Sequence, residues 1–272
     1  MLVFLVLFFL LAILFIVPIY VLLNGALSDP KTYFADPLRP NVGTWSFSAF
    51  VTAWKKINWP HYFLNTVILI AVGLVLNLFV SSTCAYSLSK LDPPFKRTVQ
   101  FLLLCTLVLP NIVSLLPKYT ILSHVPLLNI NLINTDWPMW LMYATDALGI
   151  LILKGFFDGI PKEMKEAAEI DGCGNLQFMI RFILPMSVAP LAVLSLFYIR
   201  AVYSDYINPL IFMNKDSVQP ISVKFVAMMA SHNITQSERF ATTVMISIPV
   251  IIVAAFSMRF IAKGITFSGI KG

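Results

Sequence analysis

Six stretches of this chain are so long and so continuously apolar that they read as membrane-spanning helices: residues 2–23, 66–88, 99–116, 137–157, 182–203 and 241–261. A helix rises about 1.5 Å per residue, so roughly 20 apolar residues cross a hydrocarbon core about 30 Å thick. The runs do not alternate in polarity, which excludes the two-residue period of a spanning β-barrel. Composition agrees. Of 272 residues, 12% are charged and 58% hydrophobic, against about 25% and about 45–50% in soluble domains. That little charge cannot coat a water-soluble globule, and so many aliphatic and aromatic residues exclude a disordered chain. The expected fold is all-α, a polytopic membrane protein with six transmembrane helices. Pro110, Pro117 and Asp146 interrupt the third and fourth spans. No small-residue cleavage site follows the first span, so it reads as a retained helix, with the presence of a short basic leader before it left open.

Six spans place both termini on one side. Ten of the 19 basic residues lie in 89–98, 154–181 and 259–272, segments together about half as long as the opposite loops 24–65, 117–136 and 200–240. The basic side faces the cytoplasm by the positive-inside rule, so both termini are expected there. The net charge of +6 is therefore a topology signal and implies no nucleic acid. The outer loops carry Trp45, Trp54 and Trp59 among turn-forming prolines. Such aromatics mark a lipid–water interface or a protein contact. Residues 46–54 suit a short amphipathic helix there. Cys84, Cys105 and Cys173 are scattered, with neither disulfide nor zinc spacing.

One segment between the fourth and fifth spans does not belong in a membrane. Residues 161–172 start with proline, run through Glu, Lys, Met and Ala, and stop at Gly172, which suits a helix of about ten residues. Met164, Ala167, Ala168 and Asp171 fall on one face, a stripe too weakly apolar to anchor in lipid. A solvated loop helix and a protein-docking helix both fit that pattern.

Glu166-Ala167-Ala168, then Gly172, then Leu184-Pro185 resemble the signature of permease subunits in binding-protein-dependent ABC importers: Glu-Ala-Ala, three residues, Gly, nine residues, Ile-x-Leu-Pro. Phe182 stands where the pattern has Ile. Ile160-Pro161 and Asp171-Gly172 look like the carbohydrate-uptake class. So do Asn65-Thr66 at the start of the second span, Ala85-Tyr86-Ser87-Leu88-Ser89-Lys90, Leu109-Pro110, the closing Gly264 to Gly272, and Leu116-Pro117-Lys118-Tyr119, similar to an Ile-Pro-Leu-Tyr element.

The resemblance implies a single ABC-importer transmembrane domain over 1–272 in the plasma membrane of a prokaryote. It implies a second, homologous permease completing a heterodimeric pore, two ATPase subunits and an extracytoplasmic solute-binding protein. Residues 161–172 become a coupling helix, with Glu163, Glu166, Ala167, Ala168, Asp171 and Gly172 toward an ATPase and Pro161 and Pro185 stiffening its connections. ATP and Mg belong to the ATPase chains. This sequence has no Gly-x4-Gly-Lys-Ser/Thr loop, since Ile270-Lys271 follow Gly269. No cofactor and no metal is expected on this chain.

An enzyme is the first rival, but His61, His124 and His232 have no spaced carboxylate partner, so no catalytic residue is assigned. A secondary transporter is the second; repeats and several intramembrane charges would mark it. Only Asp146 lies deep in a span. In a regular helix it would sit near mid-bilayer, either facing a pore or clasped to Asn77, Asn111 or Ser114. Saccharide sites pair aromatic faces with a few polar groups, so Asn111, Ser114, Trp140, Tyr143, Asp146 and Tyr198 are the pore and substrate candidates, with Tyr203 a further aromatic. A sugar or sugar-derived solute is the expected cargo; a glycerol phosphate remains open.

Overall fold

The computed structural model describes residues 2–40, 42–126 and 128–268, with side chains described over 4–40, 42–126 and 128–258. The glycine-rich end from Gly264 lies outside the described side chains, and 269–272 lie outside the described residues. Among the described residues there is no β-strand; a lone antiparallel bridge joins Val125 and Ile130. Helices run in the order α1 (Leu2–Leu27), α2 (Pro30–Ala35), α3 (Ser48–Ile57), α4 (Trp59–Tyr86), α5 (Lys96–Val108), α6 (Leu115–Ser123), α7 (Trp137–Ala144), α8 (Ala147–Asp158), α9 (Lys162–Ile170), α10 (Asn175–Phe178), α11 (Leu184–Met186), α12 (Val188–Ser204), α13 (Ile207–Phe212), α14 (Ile221–Ala230) and α15 (Gln236–Ser268). π-helical turns at Ser87–Leu91 and Met179–Ile183 continue α4 and α10.

Four stretches are each long and apolar enough to cross a membrane: Phe4–Leu27, Trp59–Leu91, Trp137–Asp158 and Gln236–Met258. Two bent pairs bring the number to six where each pair is counted as one span. Lys96–Val108 and Asn111–Ser123 meet at 103°, and Asn175–Met186 and Val188–Ser204 at 79°. The causes are local. Leu109 and Pro110 are both extended (ψ 123° and 129°), because a proline ring disfavours α geometry in the residue before it. Pro185 removes an N–H from the ladder just before the second break, where Ser187 donates its hydroxyl to the Ile183 carbonyl at 2.6 Å. The third and fifth spans are thus broken rather than straight, and the second begins at Trp59, seven residues before Thr66.

The described chain forms two compact units, Met1–Phe63 with Ile221–Ile252, and Leu64–Pro220 with Val253–Gly272. In the first, side chains from Phe4 to Leu23 are exposed around most of α1, as a helix apolar on every face must be when its solvent is lipid. The buried Asn24 fixes its end, donating to the carbonyls of Pro37 (2.9 Å) and Arg39 (3.1 Å). The amphipathic segment forms as α3, which buries Ala53 and Ile57. Lys56 of α3 bonds both carboxylate oxygens of Glu238 at 2.9 Å. Trp54 stacks on Trp59 at 5.7 Å, and Trp45 donates to Asn24 at 3.4 Å, so these aromatics pack within their own unit.

In the second unit one cluster joins Tyr86, Phe157, Ile160, Ala168, Phe178 and Ile183. Another joins Leu69, Leu122, Met139, Tyr198 and Phe212. The first seats α9; the second backs a cavity.

Candidate functional site: a strapped helix and a cavity between spans

Helix α9 ends in two bonds that define a Schellman motif. Gly172 N–H donates to the Glu169 carbonyl at 3.0 Å, and Cys173 N–H to the Ala168 carbonyl at 2.8 Å. Gly172 holds φ +78°, the left-handed conformation in which a Cβ is penalised. The sequence reading of this stop is therefore correct. The small-residue stripe is not an outward surface, however. Ala168 is buried within the chain's own cluster, with Met164 and Cys173 packed beside it. Glu163, Glu166, Ala167, Asp171 and Gly172 are exposed, and so is Ile170. One face of α9 seats the helix and the other is open. Ala168 therefore faces its own chain's cluster rather than the surface.

Reciprocal bonds strap this helix to the second span. Lys90 Nζ donates to the Ile160 carbonyl at 2.7 Å, and Lys165 Nζ to the Lys90 carbonyl at 3.0 Å. Ser89 Oγ donates to Asp158 at 2.7 Å, and Asp158 accepts from Lys154 at 2.5 Å. The carbonyl of Lys90 is free for this because the π turn stops at Leu91 and Asp92 turns left-handed. Downstream, a hydrogen bond from Lys96 holds Asp92 below the usual carboxylate pKa.

A cavity of about 850 Å³ lies between the spans of this unit. Of the six pore candidates it is lined by Asn111, Tyr143, Asp146 and Tyr198. Ser114 is not on its wall; its hydroxyl bonds the Asn111 carbonyl at 2.8 Å. Trp140 belongs to the apolar cluster behind the wall, edge-on to Trp137 at 5.4 Å. Tyr203 is buried and off the wall as well.

Asp146 is not in a regular helix. Thr145 and Asp146 are extended, and Asp146 caps α8 by accepting the Leu148 N–H at 3.1 Å. The positive end of the new helix supports its charge, so the cost of an unpaired mid-helix carboxylate does not arise. The break also leaves carbonyls of α7 without their usual donors. Buried Asn77 donates to the Tyr143 carbonyl at 2.8 Å, so Asn77 clasps the broken backbone and not Asp146. Tyr143 in turn donates to Asp205 at 2.7 Å and meets Tyr198 edge-on at 6.2 Å. Replacing Asp146 by asparagine is expected to preserve the cap, whereas leucine loses about 1 kcal/mol. Unfolding of the purified transporter measures the difference, and equal stability of the two variants contradicts the capping role.

Two residues on this wall or behind it escaped the sequence reading. Asp205 follows α12 and looked like loop. From sequence alone Lys118 falls in the outer loop 117–136, just beyond the third span's end at residue 116. In the structure Pro117 lies in the first turn of α6, where a missing N–H costs nothing, and Lys118 lines the cavity. Among the described residues no group of three His, Cys, Asp or Glu could hold a metal.

The described residues are all-helical, with apolar spans around a cavity and an amphipathic helix strapped to the end of the second span, an arrangement consistent with a polytopic membrane permease. Residues 77–267 match the family described as the binding-protein-dependent transport system inner membrane component, and the chain belongs to that family. It is 28% identical over 224 residues to the polygalacturonan/rhamnogalacturonan transport system permease YtcP of Bacillus subtilis, covering 77% of this chain and 76% of that one. It is 24% identical over 268 residues to the trehalose/maltose transport system permease MalG of Thermococcus litoralis, covering 97% and 94%. Its fold superposes with TM-score 0.83, at 22% identity and over 95% of each chain, on a chain from the crystal structure of a bacterial ABC transporter involved in import of the acidic polysaccharide alginate.

Proposed function

We propose that this chain forms half of the pore of an ATP-driven importer for a saccharide delivered by an extracytoplasmic binding protein. A second, homologous permease completes the pore. Two separate subunits bind ATP and Mg and hydrolyse the nucleotide, so this chain is non-catalytic. Helix α9 lies on the cytoplasmic side with both termini, and its open face, with Glu163, Glu166, Ala167 and Asp171, docks on an ATPase.

The two-faced character of α9 carries this reading. A coupling element must hold its own subunit rigidly and leave a surface for its partner, so that movement of one is movement of the other. Saccharides are favoured as cargo because the cavity sets aromatic faces beside amide and carboxylate groups, and because relatives such as YtcP and MalG carry saccharide names.

Co-expression with its neighbouring transport genes, followed by reconstitution into liposomes, tests the proposal. ATP hydrolysis and saccharide uptake should both depend on the binding protein. Gly172→Val should uncouple them, since a β-branched residue at φ +78° costs about 1–2 kcal/mol and shifts the helix end. Uptake of a glycerol phosphate but of no saccharide would refute the cargo. Normal uptake by the valine variant would refute the coupling role.

A further inference from the structure

The cavity wall holds two ionisable side chains, and they are not equivalent. Asp146 is satisfied by the α8 cap. Lys118 is half-buried on α6, one turn from Ile121 and Leu122, which line the same cavity. On another side of that helix Tyr119 packs on Phe212 at 5.7 Å. Among the described residues no carboxylate lies within ion-pair distance of the Lys118 ammonium, although four other lysines are so paired. An ammonium on a cavity wall between spans, with no carboxylate within ion-pair distance, lowers the cost of binding an anion there. Lys118 also stands at the leucine of the Ile-Pro-Leu-Tyr element, so charge replaces an aliphatic side chain on the wall.

We infer that Lys118 is a specificity-determining residue that makes this cavity select saccharides carrying a carboxylate, uronate-containing chains rather than neutral ones. The ammonium pairs with the sugar carboxylate. Asp146, through the lone pairs its cap leaves free, and the exposed Asn111 accept or donate to ring hydroxyls, while Tyr143 presents an aromatic edge. The inference rests on the cavity being the saccharide path.

Binding of end-labelled trigalacturonate and neutral galactotriose to the assembled, detergent-solubilised transporter without its binding protein tests this. The wild type should bind trigalacturonate about tenfold or more tightly, the range of a charge-assisted hydrogen bond, with the preference shrinking as salt rises. Lys118→Met should abolish the preference, and Lys118→Arg should keep it. Equal binding of both sugars by the wild type, a preference surviving in Lys118→Met, or stronger competition by glycerol 3-phosphate than by trigalacturonate overturns the inference. If neither sugar binds while binding-protein-dependent saccharide uptake persists, the inference falls and the proposed function stands. If that uptake is also absent, both fall.

Discussion

Replacing Gly73 by alanine is expected to cost about 1–3 kcal/mol of stability, the range for an extra methyl forced into a packed site. Gly73 lies in the middle of α4, and a Cβ there would run directly into the hydroxyl of Tyr198, with Trp140 Cδ1 at 3.3 Å. Tyr198 is 6% exposed and is edge-on to Tyr143, so it cannot swing aside without moving the cavity wall. Tyr198→Phe removes the nearest clashing atom but leaves the ring carbon at 3.1 Å. The double variant should therefore recover part of the loss, with a coupling energy of about 1 kcal/mol. Denaturant unfolding of the purified transporter measures all three variants. Additive losses would mean that α4 and α12 do not meet through this pair.

What the sequence made legible follows from what each signal encodes. Hydropathy reports burial in lipid and so marks the same apolar stretches as the structure, but it is blind to direction and shows neither sharp bend. The prolines at 110 and 185 were visible as residues; that each would turn the chain by 79–103° depends on which neighbours can satisfy the freed backbone groups. Asp146 shows the same limit. Its apolar surroundings suggested a mid-helix charge, whereas Tyr143-Ala144-Thr145-Asp146-Ala147 encodes a helix end followed by an N-cap, and a capping aspartate looks no different in composition from a buried one. Local chemistry was read more securely. The Pro161 start and Gly172 stop of α9 depend only on residues inside that segment, and both hold. Which face of α9 turns inward depends on Tyr86, Phe157, Ile160 and Phe178, a distance along the chain that no short pattern spans.

That inward face makes Ala168 and Ala167 separable by experiment. Phenylalanine at 168 adds a ring to a cluster already closed by Tyr86, Phe157 and Phe178. Overpacking of this kind costs about 1–3 kcal/mol, and the helix can relieve it only by lifting away from the second span. Lifting stretches the Lys165 bond to the Lys90 carbonyl and the Lys90 bond to the Ile160 carbonyl, each worth about 1.5–3 kcal/mol as a charged hydrogen bond at most. Ala168→Phe should therefore lower the stability of the permease and reduce uptake more than tenfold, while ATP hydrolysis by the complex becomes independent of the binding protein. Ala167→Phe, on the exposed face, should leave permease stability unchanged and weaken co-purification of the ATPase by steric mismatch. Lys90→Met should reproduce the uncoupling without blocking co-purification, and Lys90→Arg should restore it. A strap that only stabilised the fold would lower yield in Lys90→Met but keep the ratio of uptake to hydrolysis. A fall in that ratio at unchanged yield identifies Lys90 as the link through which movement of α9 reaches the second span.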